Sequence, residues 1–409
     1  MKQILSYSVF ALAMLCAASV IPATAQNSAS DGYLFEQQWK NTSVPTPFHN
    51  YRQGFGCDDQ FYIQDKGSDQ KKIHVYGSGG FVEDLPVTTG LGSNFTCDQA
   101  GNMLVRLGQY QRPMTANAEI RLISPDGSTT ADISFPDADT RPLGRSDHWG
   151  FVKGDVFSAE GARLVVGRPN TGNIYVIDIK NGALDQCKML ELPFLFSDAA
   201  DREFASDDYV SHWVDAAGRD HFLAVHRSDN PIDLTFDGDN ITANTIRVKS
   251  YSNFGTSNGV NCFALAGKNY IMFSTQPNWN DGFVIAELGT TATGDIDGES
   301  VNVVAWHDNS YASSLGTDDS SCNNWLNAET TGDRSAYIYQ YFPGYYTAKY
   351  LFTVQEETPT AVETVRADDA TNVTYVNAQG QSSVAPFNGF NVAVTRHADG
   401  TTTVEKLFR

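Results

Sequence analysis

Long apolar segments are scarce in this chain, and the exception stands at its very beginning. Behind a positive start at Lys2, residues 4–20 carry no charge, and Ala23-Thr24-Ala25 follows with the small-x-small pattern of a cleavage site. A membrane-spanning helix needs about 20 apolar residues, more than this run or any later segment offers. We therefore expect residues 1–25 to be a signal peptide, and the mature protein to be secreted or held at the cell surface without a membrane span.

Basic residues are also few. The 28 lysines and arginines face 48 aspartates and glutamates, which gives a formal net charge of −20 at pH 7. A surface of this sign repels nucleic acid phosphates and anionic lipid, so we exclude nucleic acid as a partner. The acidic residues are spread along the chain, and solubility is the simplest role for them.

Helical periodicity is missing as well. No long stretch repeats apolar residues with a helical period, whereas Gly, Asn, Asp, Ser and Thr interrupt the chain every few residues. What is present is a series of short alternating or β-branched runs, such as Ile120–Ile123, Ile174–Ile179 and Tyr270–Phe273. Short strands separated by turn residues indicate an all-β fold, either a sandwich, a barrel or a propeller.

A repeated hairpin distinguishes among these all-β folds. The segment 94–105 reads as a short strand, a tight glycine turn and an apolar second strand, and similar units follow it. Their turn glycines, at positions 101, 161, 218, 267 and 332, are 60, 57, 49 and 65 residues apart, which is enough for four short strands each. A single sheet of this kind cannot bury both faces, but sheets packed around an axis can. We therefore predict a six-bladed β-propeller over residues 33–357, with five or seven blades as alternatives.

Two of these repeats also carry a family resemblance. The hairpin Asp98-x-x-Gly101-Asn102, followed by Ile120 and the turn at Asp126-Gly127, resembles the blades of NHL-repeat and gluconolactonase-like six-bladed propellers. The resemblance implies the propeller fold. It does not imply one activity, because unrelated functions share this fold.

The composition changes near residue 355, where the repeats end. Gln355-Glu356-Glu357-Thr358-Pro359 reads as a linker, because a proline interrupts strand pairing. Short strand-like runs and glycine turns follow up to residue 408. We expect residues 358–409 to form a small, separate β-sandwich-like domain.

This tail resembles the C-terminal β domains of secreted Bacteroidetes proteins, which commonly serve as type IX sorting signals. The similar segments are 375–381, 386–394 and the terminal Lys406-Leu-Phe. The resemblance implies that residues 358–409 engage an outer-membrane secretion machinery and that the protein leaves a Gram-negative cell. The middle strand departs from the pattern, with Gly389-Phe-Asn-Val-Ala where many such domains have Gly-Ile-Tyr-Ile-Val, so an active signal and an accessory domain both stay open.

Polar and aromatic residues recur just before the first strand of each predicted blade. In a propeller that strand lines the central channel, so these residues would meet at the channel mouth. Tryptophan offers a flat apolar face for a sugar, and His, Asn and Asp offer directional hydrogen bonds, which is the usual composition of a small-ligand pocket. The predicted ligand-binding residues are Arg52, Asn94, Asp147, His148, Trp149, His212, Trp213, Asn258 and Trp325. The alternative role of the tryptophans is packing between blades.

Motifs for catalysis and metal binding are missing. The chain contains no HExxH, no EF-hand loop, no GxxxxGK followed by Ser or Thr, and no Gly-x-Ser-x-Gly. Asp98 and Asp215 each precede a turn glycine by three residues, where an aspartate commonly caps the hairpin, and Asp58 falls at a comparable place. Catalytic residues are therefore unknown, and no cofactor or metal is predicted. A Ca²⁺ ion held in the channel by several blades stays open, because it would leave no local motif.

Five cysteines follow the signal peptide, at widely spaced positions. They are Cys57, Cys97, Cys187, Cys262 and Cys322. An odd number cannot pair completely, and the spacing does not fit a zinc knuckle. Buried apolar residues in strands are the favoured interpretation, and one or two disulfides are the alternative.

The function that fits best is a secreted or cell-surface propeller that binds a small-molecule or polymeric ligand, possibly a glycan, at the channel mouth. The first alternative is a propeller enzyme, such as a glycoside hydrolase, lyase or lactonase, that uses channel carboxylates. The second is a scaffold for protein contacts, which predicts an apolar patch on one propeller face.

Overall fold

The computed structural model describes a large part of the chain and divides it into two compact units, Met1–Gln355 and Glu356–Arg409. The described residues are 27–44, 53–65, 72–85, 94–107, 118–135, 148–169, 171–192, 204, 208–226, 229–248, 259–274, 282–308, 325–356, 370–397 and 401–408. All elements within these ranges are strands. None of the described residues form a helix with the length and apolar character needed to cross a membrane.

The first unit contains strands β1 to β25 in six antiparallel sheets, which we number as blades 1 to 6. The first described strands are β1 (Asn27–Ala29) and β2 (Tyr33–Asn41). Blade 1 comprises β3 (Gly54–Cys57), β4 (Gln60–Gln64), β5 (Ile73–Gly77) and β6 (Gly80–Asp84). Blade 2 comprises β7 (Phe95–Cys97), β8 (Met103–Leu107), β9 (Ala118–Ile123) and β10 (Thr130–Phe135). Blade 3 comprises β11 (Lys153–Gly154), β12 (Ala162–Gly167), β13 (Asn173–Lys180) and β14 (Ala183–Glu191).

The remaining three blades of this unit follow the same order. Blade 4 comprises β15 (Tyr209–Val214), β16 (Asp220–Val225), β17 (Ile232–Asp237) and β18 (Asn240–Thr245). Blade 5 comprises β19 (Asn261–Leu265), β20 (Lys268–Ser274), β21 (Phe283–Thr290) and β22 (Ile296–His307), with β1 added as a fifth strand. Blade 6 comprises β23 (Trp325–Thr330), β24 (Ser335–Phe342) and β25 (Tyr346–Val354), with β2 as the fourth strand.

The first strands of the blades contact one another in ring order. Strand β3 contacts β7, and a bridge joins Asp98 after β7 to Val152 before β11. Strand β12 contacts β15, β15 contacts β19, β19 contacts β23, and β23 contacts β3 again. Four-stranded antiparallel sheets arranged radially define the all-β propeller fold that the sequence predicts. The blade number of the whole chain stays a prediction.

The N-terminal strands complete the last two blades, which the sequence analysis did not anticipate. Strand β2 pairs antiparallel with β25, from Tyr33 opposite Val354 to Asn41 opposite Thr347. Strand β1 pairs with β22, with Asn27 opposite His307. The beginning of the first unit is therefore hydrogen-bonded to its end.

Six buried apolar clusters hold this unit together, one at each junction between neighbouring blades. Blade 3 shows how the sequence produces them. Leu164 and Ile177 pack toward blade 2, whereas Val165 and Val176 pack toward blade 4, because successive side chains of a strand point to opposite faces. The second and third strands of blade 3 are covered on both faces and read as apolar runs, whereas outer strands such as β6, β14 and β18 have exposed residues.

Two glycines allow inner strands to approach a neighbouring blade closely. A Cβ atom at Gly56 would lie 2.2 Å from Cγ of Tyr339, and one at Gly150 would lie 2.5 Å from Cα of Ser211. At Gly56 the tyrosine ring takes the space that a side chain would need. This contact between blades 1 and 6 places the Tyr339 hydroxyl 2.7 Å from Oε2 of Glu329.

The described residues of the second unit form one four-stranded sheet. Its strands are β26 (Ala370–Asn377), β27 (Ser382–Ser383), β28 (Phe390–His397) and β29 (Thr402–Phe408), in the order β27-β26-β28-β29. Phe390 lies opposite Phe408, and both side chains are exposed.

The substitution Gly56→Ala should lower the free energy of unfolding by about 3 kcal/mol, because the added methyl group overlaps the ring of Tyr339. Urea unfolding of the full chain measures this change. Gly79→Ala is the matched control, since a Cβ at Gly79 meets no atom within 4 Å. Equal stability losses in the two variants would contradict the close approach of blades 1 and 6.

Candidate functional site

A cavity of about 510 Å³ lies beside the ends of the inner strands, near the hairpin turns that follow them. Every blade contributes to its wall through the first strand or the residues flanking it. The wall combines aromatic, amide, imidazole, thiol and carboxylate groups. Its side chains include those of Cys57, Cys97, Asp98, Gln99, Phe151, Val152, His212, Trp213, Val214, Asp215, Asn261, Cys262, Phe263, Ala264, Asn327, Ala328, Glu329 and Thr330.

The other end of the inner strands is filled by side chains. The cavity there measures only about 20 Å³, and residues such as Phe95, Trp149, Tyr209 and Trp325 line it. The rings of His148 and Trp325 meet edge to face, with centroids 5.3 Å apart and an interplanar angle of 84°. His148 precedes blade 3 and Trp325 begins blade 6, three steps away in the ring. The pair therefore reaches across the axis and closes this end among the described residues.

The predicted ligand-binding residues are not gathered at one mouth. Arg52, Asp147 and Asn258 lie outside the described residues. Asn94 is fully buried, and its backbone carbonyl accepts a hydrogen bond from the backbone N–H of Arg106.

Trp149 packs in the cluster between blades 2 and 3, and only 2% of its surface is exposed. Its indole therefore contributes to the junction between those blades as well as to the wall of the small cavity. Together with His148 and Trp325, Trp149 lies at the filled end.

His212 and Trp213 differ from the prediction in their position. They were expected to precede an inner strand, but β15 begins at Tyr209 and contains both of them. Successive side chains of this segment alternate in direction: the Tyr209 hydroxyl and Ser211 Oγ bond to blade 5, whereas Val210 packs toward blade 3. A strand with buried polar residues was thus mistaken for a loop. As a result, His212 and Trp213 lie by the large cavity, away from His148 and Trp149.

Hydrogen bonds connect the inner strands of neighbouring blades. Thr96 Oγ1 donates to the carbonyl of Gly150 at 2.7 Å, which joins blades 2 and 3. The backbone N–H of Phe151 donates to Ser211 Oγ at 3.2 Å, and that hydroxyl donates to Asn261 Oδ1 at 3.0 Å, which links blades 3, 4 and 5.

The same series continues into blades 6 and 1. Asn261 Nδ2 donates to the carbonyl of Leu326, which joins blades 5 and 6. Asn327 accepts from the backbone N–H of Gly56 at 2.9 Å and donates to its carbonyl at 2.6 Å. We call this series, from Thr96 through Ser211 and Asn261 to Asn327, the inner belt. The belt amides were not predicted as a set, although their repeated position within the inner strands is a usable signal.

Asp98 is fully engaged by backbone and amide groups. Its Oδ1 accepts from the N–H groups of Ala100 and Asn102, and its Oδ2 accepts from Asn102 Nδ2 and the N–H of Val156, all within 2.9 Å. Burial raises the pKa of Asp98, and the hydrogen bonds from Asn102 and Val156 oppose the increase. The side chain thus caps its own hairpin and joins it to blade 3.

Asp215 occupies the same position in blade 4 and belongs to a buried network. Its Oδ1 accepts from the N–H groups of Ala217 and Arg219, and its Oδ2 accepts from Arg219 Nε at 2.8 Å. His221 lies between two carboxylates, with Nδ1 2.7 Å from Asp233 and Nε2 3.3 Å from Asp215. The indole of Trp213 donates to Asp233 at 3.0 Å, so the predicted tryptophan is held by this network.

Cys57, Asp58 and Glu329 form a group at the junction of blades 1 and 6. One ligand atom from each lies within 4.8 Å of the other two, and no other group of three His, Cys, Asp or Glu side chains among the described residues is as close. Cys57 and Glu329 contribute to the wall of the large cavity, and Asp58 is exposed in the turn after β3. Asp98 and Asp215 do not belong to this group.

The described cysteines are free thiols on strands; Cys97 and Cys262 are buried, as the favoured interpretation expects, whereas Cys57 and Cys187 are half-buried. Cys57, Cys97 and Cys262 lie in the wall of the large cavity, and Cys187 lies on β14. Burial raises the pKa of Cys97 and Cys262 well above the ordinary value, so both are protonated at neutral pH. Cys322 is outside the described residues.

Comparisons with known proteins found similar solved structures but no family. No family model matches it, and no curated protein matches it either. A protein of unknown function from Bacteroides caccae is 11% identical, with 60% of this chain and 78% of that chain covered and a TM-score of 0.36. A subtype N10 neuraminidase-like protein of A/little yellow-shouldered bat/Guatemala is 10% identical, with 80% and 99% covered and a TM-score of 0.45.

A third solved structure is similar over most of its length. The Cps50 (Swd1) β-propeller domain of Myceliophteria thermophila is 9% identical, with 90% of this chain and 99% of that chain covered and a TM-score of 0.36. At such identities and TM-scores these similarities carry no argument. The first unit is a β-propeller by the arrangement of its own sheets.

The buried network around His221 predicts a pH dependence of stability. Burial alone would lower the pKa of His221, but its hydrogen bonds and charge interactions with Asp233 and Asp215 outweigh burial and raise it. A raised pKa in the folded state means that this contribution to stability is complete below the unfolded-state value of about 6.5 and is lost as the pH rises through the folded-state pKa.

The substitution His221→Gln should therefore flatten the dependence of the unfolding free energy on pH above about pH 6.5. Urea unfolding at a series of pH values measures it. His397→Gln is the control, because that histidine lies in the sheet of the second unit. A dependence that is unchanged in His221→Gln would show that the network does not hold a protonated imidazole.

Proposed function

We propose that this protein is a six-bladed β-propeller that binds a small, uncharged polar ligand, such as the end of a glycan, in the large cavity. The observation that carries the proposal is the cavity of about 510 Å³ to which every blade contributes. This volume falls in the range of about 300–1,000 Å³ that is typical of ligand pockets.

The composition of the wall supports a polar, uncharged ligand. The aromatic residues Phe151, Phe263 and Trp213 line the cavity, and Gln99 and Thr330 add an amide and a hydroxyl to its lining. No lysine or arginine is among the described residues of the wall, so an anionic ligand would meet no compensating charge. The pKa of His212 is lowered by burial, which keeps its imidazole uncharged at neutral pH.

The location of the proposed site differs from the sequence-based one. His148, Trp149 and Trp325 fill the opposite end of the inner strands, where the cavity of about 20 Å³ holds about one water molecule. The catalytic alternative has less support, because Asp98 and Asp215 accept hydrogen bonds from their own turns. The large cavity is therefore the better candidate for ligand binding.

A substitution that fills the cavity tests the proposal. Ala264→Trp places an indole in the cavity from a half-buried position on β19 and should abolish binding to a glycan array on which the wild-type chain binds. Thr242→Trp is the matched control, because it adds the same ring at an exposed position on β18.

Melting temperatures of both variants separate loss of folding from loss of binding. Wild-type binding in a folded Ala264→Trp variant would exclude the cavity as the site. Binding that is lost in Trp149→Ala but kept in Ala264→Trp would return the site to the filled end.

We also propose that the protein is exported, with residues 358–409 as the segment that engages an outer-membrane secretion machinery. Cleavage after Ala25 would leave Gln26 as the first residue, immediately before β1, so the strand that completes blade 5 would be retained.

The proposal predicts that the protein recovered outside the cell begins at Gln26. N-terminal sequencing and intact mass of the exported protein measure the cleavage point. Deletion of residues 358–409 should leave the processed first unit inside the outer membrane, whereas the full chain reaches the medium or the cell surface. An uncleaved chain in the cytoplasm would refute the export proposal.

A further inference from the structure

We propose that Cys57, Asp58 and Glu329 form a binding site for a borderline or soft divalent cation, of which Zn²⁺ is the common biological example, in the wall of the large cavity. Zinc binds thiolate sulfur at about 2.3 Å and carboxylate oxygen at about 2.0–2.2 Å. The three ligand atoms lie within 4.8 Å of one another, and Asp58 is exposed at the surface.

The carboxylate of Glu329 differs from those of Asp98 and Asp215 in its hydrogen-bond partners, which leaves it able to bind a metal ion. All three residues precede a turn glycine by three positions, but Asp98 and Asp215 accept hydrogen bonds from the N–H groups of their own turns. The longer Glu329 side chain instead accepts a hydrogen bond from the Tyr339 hydroxyl at 2.7 Å. Such a bond from outside the ligand set fixes the direction of a metal-binding carboxylate.

The positively charged side chain near this group, Lys349, is paired with another carboxylate. Lys349 Nζ lies 2.8 Å from Asp59 Oδ1, and Trp39 also donates to that atom. Among the described residues, no lysine, arginine or histidine forms an ion pair with Asp58 or Glu329. Two carboxylates and a thiol thus converge without a positive group, which a metal ion would supply.

The cavity gives the group access to solvent and room for a water molecule as a further ligand. Cys57 and Glu329 both contribute to its wall. A thiol in the donor set favours Zn²⁺ or Cd²⁺ over Ca²⁺, which prefers oxygen ligands only. The two sides of the site come from blades 1 and 6, which explains why no local motif reveals it.

Titration of the full chain with Cd²⁺ tests the site, because cadmium thiolates absorb in the ultraviolet. We expect one thiolate-to-metal band per chain that Zn²⁺ displaces and Ca²⁺ does not. Cys57→Ser should remove the band, and Cys97→Ser, which changes another thiol of the same cavity, should keep it. Glu329→Gln and Asp58→Asn should weaken Cd²⁺ binding by at least about tenfold. Asp59→Asn removes the same charge from the same turn and should have no such effect.

A measurement on the unmodified chain covers the case in which a variant fails to fold. Zn²⁺ should protect Cys57 from alkylation, as read by mass spectrometry, and should not change the labelling of Cys187. The proposal is overturned if the wild-type chain binds no Cd²⁺, if the band persists in a folded Cys57→Ser variant, or if Ca²⁺ competes as well as Zn²⁺. The Ala264→Trp variant leaves the three metal ligands unchanged. The glycan array and the Cd²⁺ titration therefore test the two proposals separately.

Discussion

The inner belt is the interaction on which the rest of the propeller depends. The first strand of each blade has one edge without a neighbouring strand, so its N–H and carbonyl groups need partners from elsewhere. Side chains of Thr96, Ser211, Asn261 and Asn327 supply them from adjacent blades. An unsatisfied buried group costs about 1–3 kcal/mol, so each belt residue contributes both to stability and to the spacing between blades.

Close spacing between the inner strands in turn determines where space remains for a ligand. Gly56 and Gly150 let neighbouring backbones and rings approach without a side chain between them, and aromatic residues fill one end of the axis. At the other end the large cavity remains open, and the hairpin turns hold Asp98 and Asp215 against their own backbone. The large cavity follows from this asymmetry along the axis, and so does the exceptional position of Glu329.

The sequence predicted the blades well because each blade is a local unit, marked by a glycine turn and apolar strands. The large cavity left no such local mark, because residues from every described blade line it. His212 and Trp213 resembled a loop, since polar residues inside a strand interrupt the apolar pattern, yet both lie within β15, and the Trp213 indole bonds to Asp233 on β17 of the same blade. Glu329 was overlooked although it shares its repeat position with Asp98 and Asp215. Pairing of β1 and β2 with β22 and β25 left no signal, because strand partners hundreds of residues apart share no sequence pattern.

That pairing has a consequence for the order of assembly. The ribosome delivers β1 and β2 first, but their partners in blades 5 and 6 emerge only near the end of the first unit. Strands β1 and β2 therefore stay unpaired until their partner strands in blades 5 and 6 are available, after blades 1 to 4. Pairing strands that are so far apart in sequence slows folding, because the entropy of loop closure is lost before the contacts form. The entropic cost itself increases only slowly with loop length. Blades 5 and 6 thus close the ring by pairing the first strands of the unit with its last ones. A chain shortened at either end of the first unit loses a strand of this closing pair.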